Sequence, residues 1–225
     1  TMTAAATKVA GETVNKVTNG KLAVTVGTGD AGVNLTTISG TAIDSVTVTE
    51  NVTFTGTLHG SVATTVANGV TLITTAAKAT GKSIGDGADS ATTEITALEA
   101  TDAADLSGIS TDTVTAAGTL AEGVTQTFTG NLGSAAVTIS SSGNGVDEIF
   151  NVDGATMGTA TFTVNANATL QGTAAKLNGV TASGAGTTAV TALQSTDAAD
   201  LSGISTTAVT AAGTLAEGVT QTFTG

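Results

Sequence analysis

The sequence predicts an all-β repeat solenoid, parallel β-helix-like, with short helical turns. Three observations carry this. Thr makes up 51 of the 225 residues and alternates with Val, Ile, Leu and Phe in period-2 runs. Residues 101–130 and 196–225 match at 28 of 30 positions. A 24-residue insertion, "SSSGNGVDEIFNVDGATMGTATFT", separates segments that otherwise align. A quasi-one-dimensional stack absorbs such an insertion as one more coil, because each coil touches only its neighbours.

The strands follow from residue choice. Thr and Val are stiff at χ1 and suit a pleated surface. The runs are "KLAVTV" (21–26), "DSVTVTENVTFTG" (44–56), "AAVTIS" (135–140), "TATFTV" (159–164) and "TTAVTAL" (187–193). Gly, Asn and Asp punctuate them, as in "GTGDAG" (27–32), "GDGADS" (85–90) and "SSSGNG" (141–146). Helical turns are expected at "TAAKATG" (75–81), "TAAKLNG" (173–179) and the two "TDAADL" stretches.

The repeat extends beyond the thirty matching residues. "TTEITALEA" (92–100) aligns with "TTAVTALQS" (187–195) at the same offset of 95, "GVTLITTAAK" (69–78) with "NATLQGTAAK" (167–176) at 98, and "TFTGTLHGSVATTV" (53–66) with "TFTGNLGSAAVTI" (127–139) at 74. A worn copy at the start carries "DAGVNLTTIS" (30–39) against "DAADLSGIS" (102–110), and puts Lys8, Lys78 and Lys176 in equivalent places. The expected organisation is a partial, degenerate unit over 1–53, a unit of about three coils over 54–127 and one of about four coils over 128–225, taking about 24 residues per coil. The chain is entered and left mid-unit, as expected of a slice of a longer repeat array. The alternative is a tandem array of immunoglobulin-like sandwiches, which also repeat at about 95 residues but normally bury a large aromatic. Here there is no Trp, no Tyr and only five Phe.

Charge and composition exclude several function classes. Eighteen acids against six positive residues, all Lys, give a net charge of −12. A chain without Arg and with this surplus has no basic face for nucleic-acid phosphates or anionic membranes. No run approaches the ~20 apolar residues of a membrane span. No Cys means no thiol nucleophile, disulfide or Cys-based metal site. His59, the only histidine, aligns with Gly133 and reads as an exposed turn residue. Polysaccharide-cleaving β-helices need clustered carboxylates with supporting cations, so the expectation is no enzyme.

The repeated acids Asp102, Asp105, Asp197 and Asp200, with Asp30 and Asn34 in the worn copy, are the candidate metal site. As oxygen ligands they suit Ca²⁺, which takes six to eight oxygens. The simpler reading is a helix N-terminus, with Asp102 as cap and Asp105 three residues on. Asp86, Asp89, Asp147, Glu148 and Asp153 sit in Gly-rich loops as weaker calcium candidates. The three equivalent lysines read as structural, snorkelling or pairing with nearby acids.

"TLITTAAKATGKSI", "ITALEATDAADLSGIST" and "VTQTFTGNLGSAAVTI" resemble the giant Thr/Ala/Gly-rich β-strand-repeat proteins that bacteria export, among them adhesin-like and S-layer-like proteins and type I secretion substrates. The resemblance spreads over most of the chain. It implies a bacterial extracellular or cell-surface location and a non-enzymatic structural role as fibre or filament, sheath, S-layer or adhesin stalk. It further implies self-association end to end, or membership of a longer chain. The alternative it leaves open is a Ca²⁺-dependent adhesin module binding a glycan or a neighbouring cell. The calcium-binding nonapeptide array of hemolysin-type toxins is missing: "GDGAD" (85–89) is a partial match, and its counterpart "SGAG" (183–186) has lost the acids.

Overall fold

The computed structural model describes residues 1–14, 20–40, 43–87, 90–143, 148–193, 198–215 and 217. The chain forms two compact units, Thr1–Thr96 with Asp105–Thr115, and Ala97–Ala104 with Ala116–Gly225.

In the first unit, strands β1 (Met2–Ala5), β3 (Leu22–Val26), β5 (Ile43–Val48), β7 (Thr64–Val66), β9 (Ile84–Asp86) and β11 (Ile109–Ser110) lie side by side in that order. Strands β6 (Val52–Thr53), β8 (Thr71–Thr75) and β10 (Thr92–Thr96) form a second row, and β2 (Thr13–Val14) pairs with β4 (Ser39–Gly40). Strand β12 (Thr113–Leu120) leads from the first unit into the second. There β13 (Thr125–Thr127), β15 (Glu148–Asn151) and β17 (Ala168–Thr173) make one row, and β14 (Ala136–Ser141) and β16 (Thr161–Val164) another. The long β18 (Thr181–Thr191) serves both: Thr181–Ser183 pair with β16 and Thr187–Thr191 with β17. β19 (Ile204–Ala211) follows it.

The strand pairs whose register is resolved among the described residues are parallel. Immunoglobulin-like sandwiches are antiparallel, so that alternative does not fit; the fold is mostly β, parallel and solenoid-like. Register partners lie from 18 residues apart (Val46 and Thr64) to 26 (Thr13 and Ser39), so the coil is variable and mostly shorter than the expected 24. The turns take up the difference. The 24-residue insertion supplies β15 and all but the last residue of β16, which enter between β13 and β17 and between β14 and β18. One pass through both rows is one coil added.

Inward and outward positions alternate as period 2 requires. Leu22, Val24 and Val26 face in and stack by register on Ile43, Val46 and Val48. In the second unit Phe150 stacks on Leu170, and Val137 on Phe162, which stacks in turn on Ala182. The buried rings of Phe128 and Phe150 lie 5.6 Å apart, stacked at 29°. The interior is filled by Val, Ile, Leu and Ala with four buried Phe among the described residues.

Three four-residue helices follow strands of equivalent sequence: α1 (Ala6–Val9) after β1, α2 (Ala76–Ala79) after β8 and α3 (Ala174–Leu177) after β17. The expected turns at 75–81 and 173–179 are therefore present. The "TDAADL" stretch at 101–106 is not helical. Its carbonyls are taken by the next coil: Thr129 N donates to Asp102 O (2.6 Å) and Asn131 N to Ala104 O (2.9 Å). These bonds tie the stretch to the next coil along a non-helical path.

Candidate functional site

The acids are used at the corners of the coils. Asp44 Oδ2 accepts from Leu22 N (2.6 Å), Glu50 Oε2 from Thr28 N (3.0 Å) and Thr28 Oγ1 (3.1 Å), and Glu99 Oε2 from Thr119 N (3.0 Å). Asp153 Oδ1 accepts from Thr173 N (2.7 Å), and Asp112 Oδ2 from Ser90 N and from Ala91 N (3.3 Å). Each partner lies about one coil away. Such corners leave backbone N–H groups outside the ladder, and a carboxylate accepting an N–H makes one of the stronger hydrogen bonds. The Thr28 bonds hold the Glu50 carboxyl below its ordinary range.

The sequence-predicted metal residues take related roles. Asp105 Oδ1 accepts from Ser107 N (3.1 Å) and Oγ (2.6 Å), and Asp200 Oδ1 from Ser202 N (3.0 Å) and Oγ (2.6 Å). Asn34 Oδ1 does the same with Thr36 N (3.0 Å) and Oγ1 (2.6 Å). These are three copies of one Asx turn, and the worn copy makes it with a neutral amide, so the turn does not require the charge. The Ser202 bonds hold Asp200 below the ordinary carboxylate range. Asp102 is not a helix cap; its Oδ1 accepts from Gln126 Nε2 (3.0 Å). Asp197 lies outside the described residues, as do Asp89 and Asp147. Among the described residues no three acidic or histidine side chains converge on one point.

Asp30 is the most enclosed of the worn-copy acids, 5 % exposed. Its Oδ1 accepts from Thr7 N (2.7 Å) and its Oδ2 from Gly27 N (3.0 Å). Burial works to raise its pKa, but the Gly27 amide, then the Thr7 amide and hydroxyl, outweigh it, and the carboxyl sits below its ordinary range. A carboxyl lowered on folding stabilises above its unfolded pKa and loses that contribution as pH falls through the folded value. Asp30→Ala should cost about 1–3 kcal/mol at pH 7, since two amides lose their acceptor. Urea unfolding of both proteins at pH 7 and below about pH 3 should show the difference shrinking at acid pH; a gap that stays constant would contradict this role.

His59 is half-buried, not fully exposed, and its Nδ1 accepts from Ser61 N (3.3 Å) and Val62 N (3.2 Å). That ties the ring into its own turn and places the proton on Nε2. The equivalent lysines sit in the last turns of α1, α2 and α3. Lys78 Nζ reaches Thr57 Oγ1 (3.4 Å) and Lys176 Nζ the Ala155 carbonyl (2.5 Å), oxygens about one coil away and not carboxylates. A cavity of about 300 Å³ in the second unit is lined by Met157–Thr161 and by Lys176 and Asn178–Thr181. Its one charged side chain, Lys176, already holds Ala155 O.

One residue escaped the sequence reading of sites: Gln126 is buried on an inward position. Glu148, named from sequence as a weaker calcium candidate in a Gly-rich loop, is instead the buried first residue of β15. The signal was the alternation itself: in "EIFNV" (148–152) the positions of Phe150 and Val152 put Glu148 on the inner face. Comparison with known proteins brings no match: no family model, no curated protein and no solved structure matches the chain. Among the described residues no helix is long and apolar enough to cross a membrane.

Proposed function

We propose that this chain is a non-enzymatic structural repeat of an exported bacterial surface protein, part of a fibre, sheath, S-layer or adhesin stalk built by stacking β coils. The observation that carries the reading is the use made of its reactive groups. Asp44, Glu50, Glu99, Asp112 and Asp153 hold backbone amides about one coil away, and the Asx turn recurs with the same bonds in three copies. Function then comes from length and repetition, as solenoids allow. The acidic, cysteine-free composition suits an extracellular setting.

Self-association belongs to the same reading. Val209 and Leu215 are 49 % and 50 % exposed, whereas the residues matching them in the first copy, Val114 and Leu120, are 6 % and 1 % exposed. Side chains with that pattern suit a further coil of the same kind, which a second copy can supply through edge pairing. Sedimentation velocity should show concentration-dependent association that Val209→Thr with Leu215→Thr weakens by tenfold or more. A wild-type chain that stays monomeric at millimolar concentration would remove the proposal.

A further inference from the structure

We propose that the inner face shared by β13 and β15 binds a divalent cation, with calcium the ion its oxygens fit. Among the described residues, the buried side-chain atoms without a hydrogen-bond partner are three, Gln126 Oε1 and both oxygens of Glu148. All three are acceptors, and they lie on one pair of parallel strands. Gln126 stands opposite Phe150 in the register, and Glu148 is two residues before Phe150, hence on the same inward face. Glu148 is fully buried, at 0 % exposure.

The orientation of the Gln126 amide is fixed by its surroundings. Its Nε2 donates to Leu98 O (3.2 Å) and to Asp102 Oδ1 (3.0 Å). Turning the amide over would set an oxygen against two acceptors, so Oε1 is the free end. The exposed Glu122 side chain approaches the same glycine as Glu148. A Cβ placed on Gly143 would be 3.1 Å from Glu148 Oε1 and 3.1 Å from Glu122 Cβ, so both acids flank the same glycine. A buried carboxylate without a partner is strongly unfavourable. A proton would give one donor to three acceptors. A hard cation uses carboxylate oxygens, singly or in pairs, and amide carbonyls together, and completes its shell with water. The site is distinct from the Asx turns of Asp105 and Asp200, whose contacting oxygens already hold serine donors.

The test uses the whole chain, stripped with chelator and then titrated with calcium chloride, followed by calorimetry and by thermal melts. One ion per chain should bind, and Tm should rise by about 5–10 °C at free calcium a hundred times Kd. Glu148→Gln keeps the shape and removes the charge; it should abolish the rise, while Asp105→Asn and Asp200→Asn should keep it. Magnesium, which demands tighter octahedral geometry, should give a smaller rise at equal concentration. The wild-type titration stands even if a variant fails to fold. Absence of saturable binding would overturn the proposal, as would a calcium response that survives Glu148→Gln or disappears in Asp105→Asn.

Discussion

Leu120→Ala is expected to cost about 2–5 kcal/mol, and Leu215→Ala less than about 0.5 kcal/mol at concentrations where the chain is monomeric. The two leucines occupy the same place in matching sequence, "VTAAGTLAEGVTQTFTG". Leu120 is 1 % exposed, its carbonyl accepts from Ser142 N (2.9 Å), and its strand β12 neighbours β14. Emptying that site loses the transfer energy and leaves a cavity. Leu215 is half exposed and its truncation leaves no cavity. Local sequence is matched, so propensity cannot separate the two; only burial by the next coil can. Equal losses in urea unfolding would mean that coil stacking does not set stability here.

Gly130→Ala should cost at least about 3 kcal/mol, and Gly29→Ala should lie between neutral and about 1 kcal/mol stabilising. Gly130 ends the repeated "TFTG". A Cβ there would lie 2.1 Å from Ala104 O and 2.7 Å from Ala104 N, backbone atoms of the neighbouring coil that cannot rotate aside. Gly56, which ends the earlier "TFTG", would bring its Cβ within 1.9 Å of Val33 O. The glycine is thus the point where one coil crosses closest over another. At Gly29 an added methyl meets nothing within 4 Å, so it mainly reduces unfolded-state freedom. Thermal melts of the two variants decide this; a harmless Gly130→Ala would contradict the close approach.

Much of the fold was legible because one physical rule governs it. Alternation places "KLAVTV" on β3, "AAVTIS" on β14 and "TATFTV" on β16. The match between "TLITTAAK" and "ATLQGTAAK" locates α2 and α3, since both copies meet the same coil geometry. The "TDAADL" stretch misled because Asp followed by Ala is also how a helix begins. In the fold its carbonyls accept from Thr129 and Asn131, more than twenty residues on, a tertiary contact that local sequence does not show. The exact coil length escaped for a similar reason: sequence offsets report whole units, while the register between strands depends on each turn. Asp105 and Asp200 were visible as a repeated pair, but their serine partners two residues later mark them as turn-formers. Gln126 and Glu148 needed the inward face of each strand to be followed residue by residue.

The central claim is parallel stacking of coils about twenty residues long. Solution NMR tests it most directly, through backbone contacts between Leu72 and Thr93 and between Leu170 and Thr188, register partners in the two units. The account predicts nuclear Overhauser effects in the parallel pattern at these separations of 21 and 18 residues. Antiparallel contacts between strands consecutive in sequence, such as β14 with β15, would contradict it.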